Sequence, residues 1–366
     1  MADLIVPPGG TVGILGGGQL GRMLAMAAAK LGLRCHIYCD EERAPAYDVA
    51  AEVTVAAYDN AEALEKFGRS VDVATVEFEN VPASALEIIQ RTTAVYPPAR
   101  SLEVSQDRLQ EKTFAQELGV AVAPYRPVSS LDELEMAVKE LGAPGLLKTR
   151  RFGYDGKGQV RIMEESDLRA AFDSLDGAPA LLERFVDFEC EVSMVAARGR
   201  DGSISCYDLA ENDHSNQILS QTRIPARVPA SIADSARRWT EEIMASLDYC
   251  GVLCVEFFYC GEKADAPLVM NEFAPRVHNS GHWTLDACAV SQFENHIRAV
   301  AGWPLGECSR KCDAVMTNLI GEDVGRWRDI AEEPNVSLHL YGKREARKGR
   351  KMGHYTQLYP KENGTS

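Results

Sequence analysis

The sequence predicts a protein of mixed α/β and α+β class built from more than one domain. Three observations carry that expectation. The chain has 366 residues, more than one ordinary hydrophobic core accommodates, so two or three domains are expected. Its first forty residues run strand, glycine-rich turn, helix, strand, the unit from which parallel sheets are built. Far downstream, Gly251–Tyr259 and the apolar run opening at Leu268 are joined by a short polar connection, the pattern of an antiparallel hairpin.

Taken in order, Thr11–Leu15 reads as a strand, Gly16-Gly-Gly-Gln-Leu-Gly-Arg22 as a turn and Met23–Leu31 as a helix. Gly16, Gly18 and Gly21 satisfy G-x-G-x-x-G, whose amides at a helix N-terminus suit a phosphate. A second strand, Arg34–Cys39, ends at Asp40, where a dinucleotide-binding fold places its ribose ligand. That pair of features raises one function class, a nicotinamide-dependent oxidoreductase. Val71–Val76 is a further strand, with Glu77-Phe-Glu-Asn80 at its carboxyl end. Open α/β sheets bind ligands outside those ends, so Glu77 and Asn80 are expected beside the glycine-rich loop. A helix N-cap before Pro82 accounts for Asn80 but not for Glu77. Asp107–Lys112 opens a helix closing near Gly119, and Val120–Pro124 reads as a linker.

Beyond it, a helix over Leu131–Leu141 and a strand over Gly145–Thr149 carrying Lys148 open a second unit. The loop Gly153-Tyr-Asp-Gly-Lys-Gly-Gln159 sets Gly153, Gly156 and Gly158 around Lys157. Such a loop wraps polyphosphate with its amides and moves as a lid, or forms a plain hairpin turn; no Gly-Lys-Ser/Thr precedes a helix, so it is not a Walker A sequence. After a helix near Ser166–Ser174, the strands Ala180–Val186 and Phe188–Ser193 offer a backbone edge for adenine, with Glu191 placed for ribose hydroxyls. Polar loops at Asn212–Ser215 and Arg223–Arg227 precede an amphipathic helix over Ser231–Leu247.

The hairpin carries the densest chemistry. A turn centred near residue 264 sets Glu256 opposite Glu272. Cβ atoms of such a pair lie about 5 Å apart, and two carboxylates there repel by on the order of 3 kcal/mol at an effective dielectric near 20. A hard divalent cation such as Mg²⁺ removes that penalty. A one-residue slip puts the two on opposite faces and leaves ordinary surface carboxylates. Just after Glu272 come Arg276, His278, Asn279, Ser280 and His282, a fixed-charge fork and several donors suited to a small oxyanion. Near the end, Lys343, Arg344, Arg347, Lys348, Arg350 and Lys351 crowd one stretch, either a solvated basic face or a phosphate site.

Composition bounds the partners. A net charge of −15 and a sequence pI near 5.0 exclude nucleic-acid binding through a broad basic surface, so a phosphorylated partner must be a small molecule in a local pocket. The ten cysteines are scattered singly and mostly inside apolar runs, which predicts reduced thiols in a cytoplasmic protein. No signal peptide or membrane-spanning run is expected.

Gly-Gly-Gly-Gln-Leu-Gly-Arg, Glu-Phe-Glu-Asn, Gly-Tyr-Asp-Gly-Lys-Gly-Gln, Asn-Glu-Phe-Ala-Pro-Arg-Val-His-Asn-Ser-Gly-His-Trp-Thr and Gly-Arg-Lys-Met-Gly-His occur in that order. With them the chain resembles, over nearly its whole length, the N5-carboxyaminoimidazole ribonucleotide synthetases, ATP-grasp ligases of purine biosynthesis. The resemblance implies a three-domain ATP-grasp fold: a Rossmann-like parallel-sheet domain at 1–123, a small lid at 124–187 and an α+β domain at 188–366. It implies that ATP meets Arg108, Lys148, the loop Gly153, Tyr154, Asp155, Gly156, Lys157, Gly158 and Gln159, the segment Glu183, Arg184, Phe185 and Val186, and Glu191, His214 and Asn271. Glu256 and Glu272 are implied Mg²⁺ ligands.

The implied reaction phosphorylates bicarbonate to carboxyphosphate and carboxylates the exocyclic amine of 5-aminoimidazole ribonucleotide. Arg276 and His278 are assigned to bicarbonate and carboxyphosphate, under a loop closed by Tyr154, Asp155 and Lys157. The nucleotide is assigned to Gln19, Leu20, Glu77, Asn80, Asn279 and Ser280, its phosphate to Lys343, Arg350 and Lys351. A homodimer without nucleic-acid or membrane partners is also implied. Within the superfamily the rival is a formate-dependent glycinamide ribonucleotide transformylase; outside it stand the oxidoreductase and a non-catalytic nucleotide sensor.

Overall fold

The computed structural model describes residues 5–153, 158–164 and 167–361. Three sheets organise the chain. The first has five parallel strands in the order Glu52–Val55, Arg34–Cys39, Thr11–Leu15, Val73–Val76, Ala94–Val95. Val73–Val76 is buried at every position, as a central parallel strand covered on both faces requires. The order reverses between Thr11–Leu15 and Val73–Val76, so the crevice at their carboxyl ends is the place where such sheets bind ligands. The helix after the glycine-rich turn spans Gln19–Lys30, four residues earlier at its start than its apolar residues indicate.

The second sheet is antiparallel, ordered Tyr125–Val128, Ala180–Arg184, Gly145–Thr149, Gln159–Ile162. Helix Leu131–Leu141 covers it, capped by the Ser130 hydroxyl and closed at Gly142 with φ +78°, a left-handed conformation that favours glycine.

The third sheet holds nine antiparallel strands. Its path runs from Leu268–Ala274 through Gly251–Tyr259, Cys190–Arg198, Ala210–Ser215, Ile218–Ile224, Asp313–Ile320 and Lys351–Tyr359 to Val336–Leu340, with Ile204–Cys206 beside Cys190–Arg198. Helix Ala230–Ser246 packs one face through Ile232, Ala236, Ile243 and Met244.

Helix Gln292–Ala301 fastens the first sheet to the third. His296 Nδ1 accepts the Val252 amide at 3.0 Å, so the proton is on Nε2, which donates to Thr75 Oγ1 at 2.7 Å. Lys30 pairs with Glu294 at 2.6 Å, and the Val6 amide and carbonyl bond Ala301 and the Trp303 indole. Val120–Pro124 differs from a free linker: the Ala121 carbonyl accepts the Met270 amide at 2.8 Å and Val122 bridges Met270. An extended segment beside an edge strand satisfies its backbone there. No helix among the described residues is long and apolar enough to cross a membrane.

Candidate active site

A cavity of about 760 Å³ opens where the three sheets meet. Gln19, Leu20, Glu77 and Asn80 reach it from the first sheet, Lys148 and Gln159 from the second. The third contributes Glu191, His214, Glu256, Asn271, Glu272, Arg276, His278, Asn279 and Lys351, and the helix opening at Arg108 adds that guanidinium. Gly153 and Gly158 flank Tyr154, Asp155, Gly156 and Lys157, which lie outside the described residues.

The hairpin register pairs Glu256 with Glu272 directly, with a bulge after Glu256. Burial, then the charge of Glu272, raises the Glu256 pKa. Glu272 also accepts from Arg108 Nη1 at 3.0 Å. Hard oxygens from neighbouring strands, held in mutual repulsion, have the chemistry of a divalent-cation site.

A buried ion cluster lies beside them. Lys148 donates to Glu183 at 3.0 Å, and Lys112 reaches the other Glu183 oxygen at 3.4 Å and the Asn271 carbonyl at 3.3 Å. Burial alone pushes Glu183 up, but Lys112 and Lys148 outweigh it and hold the carboxyl at about 2. The Glu183 side chain is thus engaged by two lysines, and Glu183 is not among the residues lining the cavity. Arg184 and Phe185 donate their amides to the Pro124 and Pro144 carbonyls. Those two amides are therefore bonded within the protein, and Arg184, Phe185 and Val186 are not among the residues lining the cavity. Glu111 was not foreseen. It accepts the Phe273 amide at 2.7 Å and is pushed up to about 8 by burial, then Glu272; its place one helical turn after Arg108 is the only sequence signal for it.

His278 is held in one tautomer. The Ser280 amide donates to Nδ1 at 3.3 Å, so a neutral ring carries its proton on Nε2, which faces Glu256 Oε1 at 3.6 Å. Burial, then Arg276 and Lys351, keeps the ring neutral. The Ser280 hydroxyl supports the same nitrogen at 2.8 Å, and Ser193 and Asn212 extend the chain at 2.7 and 2.9 Å. Ser280 is fully buried, and its hydroxyl is bonded to His278 and Ser193. Asn279 exchanges two amide hydrogen bonds with Asn318, at 3.0 and 2.7 Å. His282 is buried behind the cavity.

At the first sheet, Gly18 donates to Glu77 Oε1 at 2.5 Å and Gly21 donates to Oε2. Burial raises the Glu77 carboxyl while those amides oppose it. A Cβ on Gly16, where φ is +115°, falls 2.1 Å from Glu77 Cγ. The anion cradle is therefore filled by the chain's own carboxylate, which leaves no room for a dinucleotide pyrophosphate and removes the ground for the oxidoreductase reading. Asn80 is exposed and caps nothing; the helix N-cap is Pro82.

On the opposite wall Phe188 and Phe258 stack at 4.7 Å, a flat apolar surface beside Glu191. Glu191 meets His214 Nδ1 at 3.1 Å; burial lowers the histidine pKa, but Glu191 outweighs it and the net shift is upward. Sequence patterning does not reveal this ring pair. Lys351 lines the main cavity, whereas Lys343 and Arg350 line an adjoining cavity of about 480 Å³ with Arg43 and Arg344. Burial, then Arg350, lowers Lys343 to about 8.

Away from the cavity, Asp286, His339 and His354 bring metal-capable atoms within 4.8 Å of one another. His339 Nε2 already lies 3.1 Å from both Asp286 oxygens, and its ring stacks on His354 at 13°. Near-parallel rings do not converge on one ion, so this is a hydrogen-bonded cluster. The ten cysteines are free, and six of them are buried.

The geometry can be set beside known proteins. Residues 10–106 match the ribonucleotide synthetase preATP-grasp domain, residues 113–293 the ATP-grasp domain and residues 314–364 the phosphoribosylaminoimidazole carboxylase C-terminal domain. The N5-carboxyaminoimidazole ribonucleotide synthase of Brucella melitensis biotype 1 is 52% identical over 356 residues, covering 97% of this chain and 98% of its own. The Bacillus subtilis synthase is 40% identical, covering 99% and 95%. Among solved structures, N5-carboxyaminoimidazole synthetase from Staphylococcus aureus complexed with ADP superposes with a TM-score of 0.91 at 39% identity, covering 98% of this chain and 95% of that one. The Aspergillus clavatus synthase, in complex with ADP and 5-aminoimidazole ribonucleotide, gives 0.90 at 29% identity, covering 97% and 95%.

Proposed function

The chain belongs to the N5-carboxyaminoimidazole ribonucleotide synthase family of ATP-grasp ligases, and we propose that it performs the reaction that name describes. ATP and bicarbonate carboxylate the exocyclic amine of 5-aminoimidazole ribonucleotide, giving N5-carboxyaminoimidazole ribonucleotide, ADP and phosphate. One observation supports it most: a single cavity gathers a carboxylate pair, a lysine and arginine set, and a neutral histidine beside an arginine fork.

A bicarbonate oxygen attacks the γ-phosphorus of ATP; the new O–P bond forms as the bond to ADP breaks, leaving carboxyphosphate. The amine nitrogen then attacks the carboxyl carbon, the C–O bond to phosphate breaks and the nitrogen loses a proton. Lys148 and Arg108 offset charge on the transferring phosphoryl group. Arg276 holds the bicarbonate in a two-point fork, and His278 Nε2–H donates to the developing oxyanion. Phe188 and Phe258 receive the adenine, with Glu191 at its ribose. Lys351 and Asn80 orient the imidazole nucleotide, whose phosphate reaches Lys343 and Arg350 in the adjoining cavity.

Mg²⁺ fits Glu256 and Glu272, and when bound it supplies countercharge to the ATP phosphates. We further propose domain limits at 1–123, 124–187 and 188–366, a homodimer, and a cytoplasmic site of action. The testing experiment is ADP release from ATP with Mg²⁺ and bicarbonate, with and without 5-aminoimidazole ribonucleotide. Strong stimulation dependent on bicarbonate is expected; stimulation by formate with glycinamide ribonucleotide in its place overturns the assignment. Sedimentation as a monomer at micromolar concentration overturns the dimer.

A further inference from the structure

Glu79 lies between Glu77 and Asn80, in the turn after Val73–Val76. Its carboxylate accepts from Arg276 Nε, 197 residues later in the chain. Both side chains are largely buried, at 28% and 17% exposure. The Glu79 backbone is fixed separately: the Gln106 amide donates to its carbonyl at 2.7 Å and to that of Val81 at 3.0 Å. Arg276 Nη1 donates to the Val277 carbonyl at 3.1 Å. Nε and one Nη1 hydrogen are thus committed, which leaves the second Nη1 hydrogen and Nη2 for a fork, and Arg276 lines a cavity that Glu79 also lines. Arg276 is held by a turn whose residues Glu77, Glu79 and Asn80 line the same cavity.

We propose that Glu79 is a positioning residue that couples the imidazole-nucleotide side of the cavity to Arg276, so that nucleotide on the Glu77–Asn80 turn sets the guanidinium for bicarbonate. This rests on the reading of Arg276 and of the turn given above. A planar fork recognises a carboxylate-like anion only in one orientation, and a buried charge-assisted bond is the means of fixing it. The arrangement disfavours phosphorylation of bicarbonate before an acceptor amine is present, when carboxyphosphate has only water to react with. Because coupling between two ligands is reciprocal, bicarbonate must tighten nucleotide binding by the same factor that nucleotide tightens bicarbonate.

The experiment compares the full-length chain with Glu79→Gln and Glu79→Asp. ADP release is measured against bicarbonate with and without 5-aminoimidazole ribonucleotide. Nucleotide affinity is measured by calorimetry with and without bicarbonate, in the presence of a non-hydrolysable ATP analogue. In the unaltered protein the nucleotide is expected to lower the bicarbonate KM by on the order of 10-fold, within the usual range of coupling. In Glu79→Gln that ratio falls to about one while ATP-analogue affinity is kept, and Glu79→Asp recovers part of it.

A Glu79→Gln protein with the unaltered ratio overturns the proposal. So does an equal fall of kcat with and without nucleotide at unchanged ratio, which marks a structural role only. Absence of nucleotide-stimulated ADP release from the unaltered protein overturns the proposed function itself, and the coupling with it. If Glu79→Gln does not fold, Gln106→Ala, which frees the same turn at its carbonyls, must lower the ratio in the same direction; an unaltered ratio there overturns the proposal equally.

Discussion

Replacing Glu256 by glutamine removes a charge that the hairpin register forces against Glu272. At about 5 Å and an effective dielectric near 20, the repulsion is on the order of 3 kcal/mol. Arg108, 3.0 Å from Glu272, screens part of that, leaving roughly 1–2 kcal/mol for the metal-free protein to regain. With about 2.1 cal/mol/K of unfolding entropy per residue, that is a rise in melting temperature of roughly 1–3 °C. The sign with pH follows from the raised Glu256 pKa. The folded state holds that proton more tightly than the unfolded one, so the favourable contribution is complete below the unfolded pKa and is lost as pH rises through the folded value. The variant's advantage therefore opens in that window and is full at pH 8. Melting curves in chelator and in Mg²⁺ read it directly. Glu256→Gln should melt higher than the unaltered protein in chelator, gain nothing from Mg²⁺, and lose ADP release by on the order of 100-fold or more. A lower melting point in chelator at pH 8, or undiminished Mg²⁺-dependent turnover, refutes the electrostatic reasoning.

Glu183→Gln leaves Lys112 and Lys148 buried without their shared carboxylate and should cost about 3–5 kcal/mol of stability in denaturant titrations. Because Glu183 is depressed to about 2, its contribution is present above the unfolded carboxylate pKa and fades as pH falls from there toward about 2; melting the two proteins across acid pH should show the gap closing. Ser280→Ala removes the hydroxyl that supports His278 Nδ1 and should lower kcat about 10-fold with the KM for ATP unchanged, as steady-state kinetics would show. NADH should not bind, because Glu77 occupies the glycine-loop amides; a fluorescence titration showing micromolar affinity contradicts that.

Patterns local in sequence carried most of the fold. Alternation of side chains along two strands joined by a short turn brings Glu256 near Glu272, but the direct pairing needs the bulge: Tyr259 to Phe257 pair with Leu268 to Met270, and the register shift after Glu256 then skips Asn271 and sets Glu256 opposite Glu272. The cap at Ser130 and the left-handed Gly142 bound helix Leu131–Leu141 as its sequence indicates. What stayed hidden depends on contacts between distant segments. The glycine pattern at Gly16–Gly21 announces an anion cradle, but only the fold shows that Glu77 fills it. Glu183, Ser280 and Glu111 carry the right chemistry for ligands, yet their partners, Lys112, Ser193 and Phe273, lie 71, 87 and 162 residues away in sequence. The aromatic pair Phe188 and Phe258 likewise forms only when the segment before Cys190–Arg198 and the strand Gly251–Tyr259, 70 residues apart at the two rings, come together.

The central claim is that this cavity uses ATP to activate bicarbonate. Turnover in freshly dissolved ¹⁸O-bicarbonate, with ATP, Mg²⁺ and 5-aminoimidazole ribonucleotide, tests it at the atom concerned. Attack by a bicarbonate oxygen on the γ-phosphorus leaves that oxygen on the released phosphate, so mass spectrometry should find one labelled oxygen per phosphate. Unlabelled phosphate means that water, not bicarbonate, took the phosphoryl group, and the account fails.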